Sequence, residues 1–129
     1  MEFRSTKAHV LFVDDDTRIA QMAEQVLSAQ GFDVTALTSP SEALSLFLTD
    51  PQKFDVVVLD HTMPGLSGLE LAQRISSARR ELPILLLSGL AESISRSALK
   101  AAGIRECWPK PLPLSRLAEL VHALLERTS

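Results

Sequence analysis

Asp14, Asp15 and Asp16 follow the apolar run HVLFV (9–13), and Asp60 closes a second run, VVVL (56–59), within the stretch FDVVVLDHTMPG. A carboxylate at the end of a buried-looking strand is costly unless a salt bridge, a cap, a metal or chemistry compensates its charge. Two other reactive groups end similar segments: Ser88 follows ILLL (84–87), and Lys110 follows IRECW (104–108). Brought to one place, these carboxylates would repel one another, and a hard divalent cation would relieve that repulsion. Mg²⁺ suits such a set, because it takes oxygen ligands and is typically held by one or two carboxylates plus phosphate oxygens. With an ammonium and a hydroxyl beside it, the set resembles the equipment of phosphoryl transfer, where charge on the phosphoryl oxygens must be stabilised.

Such a site requires elements that carry four separate segments to one edge. HVLFV, VVVL and ILLL are short and apolar throughout, as strands buried on both faces are, and DVTAL (33–37) and IRECW (104–108) are weaker strand candidates. Helical patterns lie between them. Ile19, Met22, Ala23, Val26 and Leu27 form one stripe stopped by Gly31, with Asp16 as the expected N-cap. SPSE (39–42) reads as a capping box with Pro40 at the first helical position. SGLE (67–70) repeats the box, with Leu66 and Leu71 placed as a hydrophobic staple. Leu114, Leu117, Leu120, Val121 and Leu124 make the last stripe. The helix expected at about 91–102 is serine-rich and poor in large apolar residues, so weak packing is expected of it. Five strands alternating with five helices predict a doubly wound parallel sheet, whose ligands bind outside the carboxyl ends of the strands. The acidic, hydroxyl and amino groups all fall at those ends.

Four motifs in order, LFVDDD, VVVLDHTMPGLSGLEL, PILLLSG and WPKPL, identify a family. Over residues 8–127 the chain resembles the receiver domain of two-component response regulators, leaving 1–7 as an N-terminal tail. The resemblance implies a CheY-like, flavodoxin-like α/β fold of strand order 2-1-3-4-5. It makes Asp60 the phosphoacceptor and Asp14 and Asp15 the acidic pocket. Asp15, Asp60 and the Thr62 backbone carbonyl would ligate Mg²⁺, Ser88 would be the switch hydroxyl, and Lys110 would contact the phosphoryl group. It also implies a cis bond at Lys110-Pro111, which X-Pro peptides tolerate. The donor would be a histidine kinase or a histidine phosphotransfer protein, and the signal would leave through helix 4, strand 5 and helix 5, a face that could also support a dimer. DHTMPGLSGLELA with LLLSG looks more like receivers attached to hybrid sensor kinases, with a stand-alone receiver or a piece of a larger regulator as the other readings.

The chain departs from the common receiver in three places. Serine replaces the frequent switch threonine at 88, and Pro109 removes a backbone donor from strand 5, acceptable on an edge strand. Cys107 occupies a position where receivers often carry an aromatic that turns inward, with Trp108 one residue later. Cys107 is expected to be inert and buried, with helix 4 carrying the response and Trp108 reporting on it. His61 reads as an exposed side chain beside a turn rather than a metal ligand or a phosphohistidine.

Composition narrows the alternatives. The 129 residues suit one domain, with 46% hydrophobic and 22% charged residues and a net charge of −3. No basic block supports direct nucleic-acid binding. No run approaches the roughly 18–20 apolar residues of a membrane span, MEFRSTKAH lacks the apolar centre of a signal peptide, and a single cysteine allows no internal disulfide, so a cytoplasmic location is expected. A small Mg²⁺-dependent phosphatase of the haloacid dehalogenase type shares the apolar strand and Asp-x-Asp, but wants Thr or Val where Arg18 stands. A pseudo-receiver that binds partners without taking phosphate would not need all five matched site residues. The reading is therefore a signalling module that catalyses only its own phosphorylation and slow dephosphorylation, not a metabolic enzyme.

Overall fold

The computed structural model describes residues 7–89 and 93–128. Strands and helices alternate: β1 (His9–Val13), α1 (Thr17–Ala29), β2 (Asp33–Leu37), α2 (Pro40–Thr49), β3 (Val56–Asp60), α3 (Gly68–Ala78), β4 (Ile84–Ser88), α4 (Arg96–Ala101), β5 (Glu106–Pro109) and α5 (Leu114–Thr128). The five strands form one parallel sheet of order β2-β1-β3-β4-β5. Among the described residues, no helix is long and apolar enough to cross a membrane.

The sheet separates two apolar layers, because successive strand side chains point to opposite faces. Leu11, Val13, Val57, Leu59, Ile84 and Leu86 face α2 and α3, where Phe47, Leu71 and Ile75 complete one core; Ile94 and Leu99 pack at its margin. Val10, Phe12, Val56, Val58, Leu85 and Leu87 face α1 and α5, meeting Leu27, Leu117, Val121 and Leu124. Central strands β3 and β4 are buried at every position.

Capping chemistry sets where most helices begin. Asp16 accepts hydrogen bonds from the backbone N–H of Arg18 and Ile19, capping α1 as expected, and Gly31 follows the helix at φ 95°. Ser67 and Glu70 close a full capping box at α3, and Leu66 and Leu71 join the same core. At α2 the Ser39 hydroxyl accepts from Glu42 N and Pro40 opens the helix; among the described residues the return bond from Glu42 is not formed.

Several details differ from expectation. α4 begins only after Ser95, whose hydroxyl caps it through Ala98 N; residues 93–95 are not helical, and 90–92 of the expected helix lie outside the described residues. The Ser95 hydroxyl accepts from Ala98 N and meets the Ser97 hydroxyl at 3.2 Å, so Ser95 acts as the cap that starts the helix rather than as a residue inside it. β5 covers 106–109 rather than 104–108, because Ile104 is still turning into the core and Pro109 is accepted on an edge strand. In α1, Met22 is 53% exposed while Ala20 is buried, so the helix meets the sheet a fraction of a turn away from the centre of the apolar stripe.

Candidate functional site

The parallel register brings the acidic residues together. Val13 lies opposite Leu59, so Asp14 and Asp60 leave adjacent strands at the same level. Lys110 comes from beyond β4, where its backbone N–H donates to Ser88 O at 2.7 Å. Its long side chain crosses the end of β4 to reach two carboxylates: Nζ lies 2.9 Å from Asp60 Oδ1 and 3.5 Å from Asp14 Oδ2. Asp14 is 1% exposed and Asp60 5% exposed, whereas Asp15 lies at the surface. Carboxylate oxygens of Asp14, Asp15 and Asp60 lie within 4.8 Å of one another. With Asp16, Thr62, Gly89 and Lys110 they line a cavity of about 580 Å³.

Electrostatics follow from this burial. Desolvation pushes the Asp60 carboxyl above its ordinary range, against the hydrogen bond from Lys110, and the charge of Asp14 adds to the rise. Asp14 is likewise raised by burial, although the Asp16 N–H at 2.9 Å and Lys110 oppose it. Burial pulls the Lys110 ammonium down, but the Asp60 hydrogen bond and the charges of both carboxylates outweigh it and hold the group above its usual value. Three carboxylates face one ammonium here, leaving two uncompensated negative charges. The donor set is all oxygen and its charge deficit matches one divalent cation, so the site fits Mg²⁺.

Two glycines shape the approach to Asp60. Gly65, after Pro64, has φ 89°, a left-handed conformation that turns the chain back after Thr62 and Met63. Gly68 opens α3 hard against the end of β3: a Cβ there would stand 2.4 Å from the Asp60 carbonyl oxygen and 2.6 Å from Leu86 Cδ1. Sequence reasoning passed over Gly68. The available signal was a poor helix former placed at the first helical position, where a packing reason is required.

Ser88, Cys107 and Trp108 occupy unexpected surroundings. Ser88 is buried at the end of β4, and its Oγ meets Cys107 Sγ at 3.6 Å. Cys107 is half-buried on the α3–α4 side of the sheet rather than fully buried. Trp108 points to the other face, where its Nε1 donates to Glu106 Oε1 at 2.7 Å and Arg116 lies over its ring at 5.2 Å. His61 is half-buried, not exposed, and its backbone bridges Leu87 O and Gly68 N. The Lys110-Pro111 bond is cis.

Asp16 spends its side chain on capping α1 through Arg18 N and Ile19 N, which argues against an Asp-x-Asp phosphatase reading of LFVDDD. Comparison with known proteins agrees. The chain is 38% identical over 120 residues to response regulator MprA of Mycolicibacterium vanbaalenii, covering 93% of this chain and 51% of the relative. It therefore spans about half the length of the curated relatives it matches. Among solved structures, a receiver domain protein from Clostridium thermocellum superposes with a TM-score of 0.86 at 26% identity, covering 93% of this chain and 95% of that one. The receiver domain of Francisella response regulator 1452 gives 0.82 at 31% identity, covering 95% and 100%. The family pattern of the response regulator receiver domain matches residues 10–122. With the sheet order and the acidic edge already in place, the chain belongs to the response regulator receiver domain family.

Proposed function

We propose that this domain accepts a phosphoryl group on Asp60 from a phosphohistidine of a histidine kinase or a phosphotransfer protein. The observation that carries this reading is the Lys110 ammonium held between the buried carboxylates of Asp60 and Asp14 at the carboxyl edge of the sheet. Lys110 grips Asp60 Oδ1, which leaves the second carboxylate oxygen to attack phosphorus. An O–P bond forms as the P–N bond to the donor imidazole breaks, and the electron pair returns to that ring. As the phosphoryl group arrives, the ammonium can contact its oxygens while remaining beside Asp14. Asp14, Asp15, Asp60 and the Thr62 carbonyl would hold Mg²⁺, which when bound supplies the positive charge that neutralises the phosphoryl oxygens.

The acyl phosphate adds up to about two negative charges. Ser88 stands at the adjoining strand end as the hydroxyl that answers them, through a charge-assisted hydrogen bond. The output then runs through the face of α4, β5 and α5. α4 supports this route because none of its side chains is buried, so displacing it costs little. The domain is a switch that processes its own phosphoryl group rather than a metabolic enzyme.

The test is labelling by a small acyl-phosphate donor with Mg²⁺. One alkali-labile, hydroxylamine-sensitive phosphoryl group per chain is expected, lost in Asp60→Asn. Equal labelling of that variant, or catalytic turnover of phosphomonoesters by the wild type, would overturn the proposal.

A further inference from the structure

The Ser88 hydroxyl does not wait in an apolar pocket: it is buried and paired with the Cys107 thiol at 3.6 Å, across neighbouring strands. Cys107 lies beside Leu86 in the β4–β5 register, so its side chain emerges on the same sheet face as Leu86 and, two residues on, Ser88. The thiol lines the groove between α4 and β5 with Leu99, Ile104 and Arg105. We propose that Cys107 is a positioning residue for Ser88: in the resting protein its thiol holds the hydroxyl turned toward β5, and releasing that contact is part of the cost of switching. This inference rests on Asp60 being the phosphoacceptor and specifies how its response is biased.

Sulfur suits this duty. A thiol is both a weak donor and a weak acceptor, so it can hold a hydroxyl without holding it too firmly. A phosphoryl oxygen offers Ser88 a charge-assisted bond that is roughly twice as strong as a neutral one, and the exchange therefore runs toward the phosphorylated site. The long C–S bond and large sulfur atom also span a gap that oxygen would not. With Cα fixed, a serine at 107 would leave its oxygen beyond hydrogen-bonding distance of Ser88, because an O–H···O bond needs about 2.7–2.8 Å. Serine, ordinarily the conservative replacement, is therefore expected to behave as a loss of the contact.

In the two-state picture, removing a contact made only in the resting state raises the population that binds the activating ligand. The experiment uses the full chain, Mg²⁺ and beryllofluoride as the phosphoryl mimic. Cys107→Val fills the space with a somewhat larger apolar side chain, Cys107→Ala leaves a void, and Cys107→Ser keeps a polar group at the wrong reach. All three should bind beryllofluoride more tightly, by about 2- to 5-fold, the scale of one weak neutral hydrogen bond. In a Ser88→Ala background the same substitutions should have no effect, which a merely structural role for Cys107 would not produce. A second readout needs no ligand. The Hα–Hβ couplings of Ser88 in the free protein should report one rotamer in the wild type and averaging in Cys107→Val. Unchanged couplings, weaker beryllofluoride binding in the Cys107 variants, or an equal shift with and without Ser88 would each overturn the positioning role. Absence of beryllofluoride binding by the wild type would instead remove the phosphoacceptor reading, while the couplings still decide whether the thiol holds the hydroxyl.

Discussion

Helices α4 and α5 flank the same edge strand from opposite faces of the sheet, and they are built to opposite specifications. α5 has 15 residues and seats Leu117, Ala118, Leu120, Val121 and Leu124 in the core. α4 has six residues, none of them buried, and depends on the Ser95 cap. β5 divides accordingly. Trp108 turns toward α5 and is fixed by Glu106 and Arg116, while Cys107 turns toward α4 and meets Ser88. One side of the strand is firmly anchored, a frame, and the other is weakly anchored, the candidate moving part; the proposed switch would require this asymmetry, since displacement has a direction only if something beside it stays still.

The largest effect should come from attacking the frame. Leu124 is 1% exposed, so Leu124→Ala should cost about 2–5 kcal/mol in urea unfolding, through lost burial and the cavity left behind. Leu99→Ala in α4 removes a side chain that is only half-buried and should cost roughly 1 kcal/mol or less. Equal losses at the two positions would erase the distinction between frame and moving part.

A second test concerns the buried charges at the carboxyl edge of the sheet. Asp60 and Asp14 are both raised above their ordinary range by burial. In the window between the unfolded and folded carboxyl values, the native state binds more protons than the unfolded chain. Stability therefore falls as pH rises through that window. In chelator, these two groups should cost the wild type stability as pH climbs above the usual unfolded carboxyl value of about 3.9. Asp60→Asn should lose less and melt higher than the wild type at pH 7. Added Mg²⁺ should stabilise the wild type more than Asp60→Asn. An Asp60→Asn variant that melted no higher than the metal-free wild type at pH 7 would show that Lys110 alone compensates the pair.

The direct comparison of the two helices is a smaller, local effect. Beryllofluoride with Mg²⁺ should change amide exchange at residues 88–89 and 93–101 by several-fold while leaving 117–124 nearly unaltered. Trp108 fluorescence should move little, because the indole is tied to the α5 side. This revises the expectation that Trp108, as a neighbour in sequence, would report on helix 4. A change in α5 as large as that in α4 would mean that the whole edge moves as one body.

What could be read in advance follows a physical divide. The central strand positions were legible because burial on both faces leaves uninterrupted apolar runs such as VVVL and ILLL, whereas the bounds of the edge strand β5 were not. The residues of the acidic edge were legible because strand-end carboxylates and a Lys-Pro stand out against such runs, and parallel topology dictates where the ends go. The start of α4 was not, since Ser93, Ser95 and Ser97 offer competing caps and few apolar residues choose between them. Gly68 and the Ser88–Cys107 contact were hidden for another reason. Each depends on the approach of segments far apart in sequence, and no local pattern records that a helix start meets a carbonyl or that a thiol reaches a hydroxyl across strands.

The smallest expected effect concerns the polar ties that fasten β5 to α5. Glu106 accepts from Trp108 Nε1 and pairs with Arg127. Burial works to raise its carboxyl, but the Trp108 hydrogen bond and the Arg127 contact outweigh this and hold it below the usual glutamate range. A depressed folded value means that its contribution is present above the unfolded pKa and is lost as pH falls through the folded one. Arg127 is 59% exposed, so solvent screens the pair and Arg127→Ala should cost well under about 1 kcal/mol. Glu106→Gln keeps an acceptor for the indole while removing the charge, and should cost about as little at pH 7 and progressively less as pH falls through the folded glutamate value. The sharper readout is the indole itself. If Glu106 fixes Trp108 to the frame, Glu106→Ala should give the indole N–H faster exchange and make its fluorescence sensitive to beryllofluoride, although global stability barely changes. An indole equally silent in Glu106→Ala would show that packing against α5 and the Arg116 guanidinium holds it without help from the carboxylate.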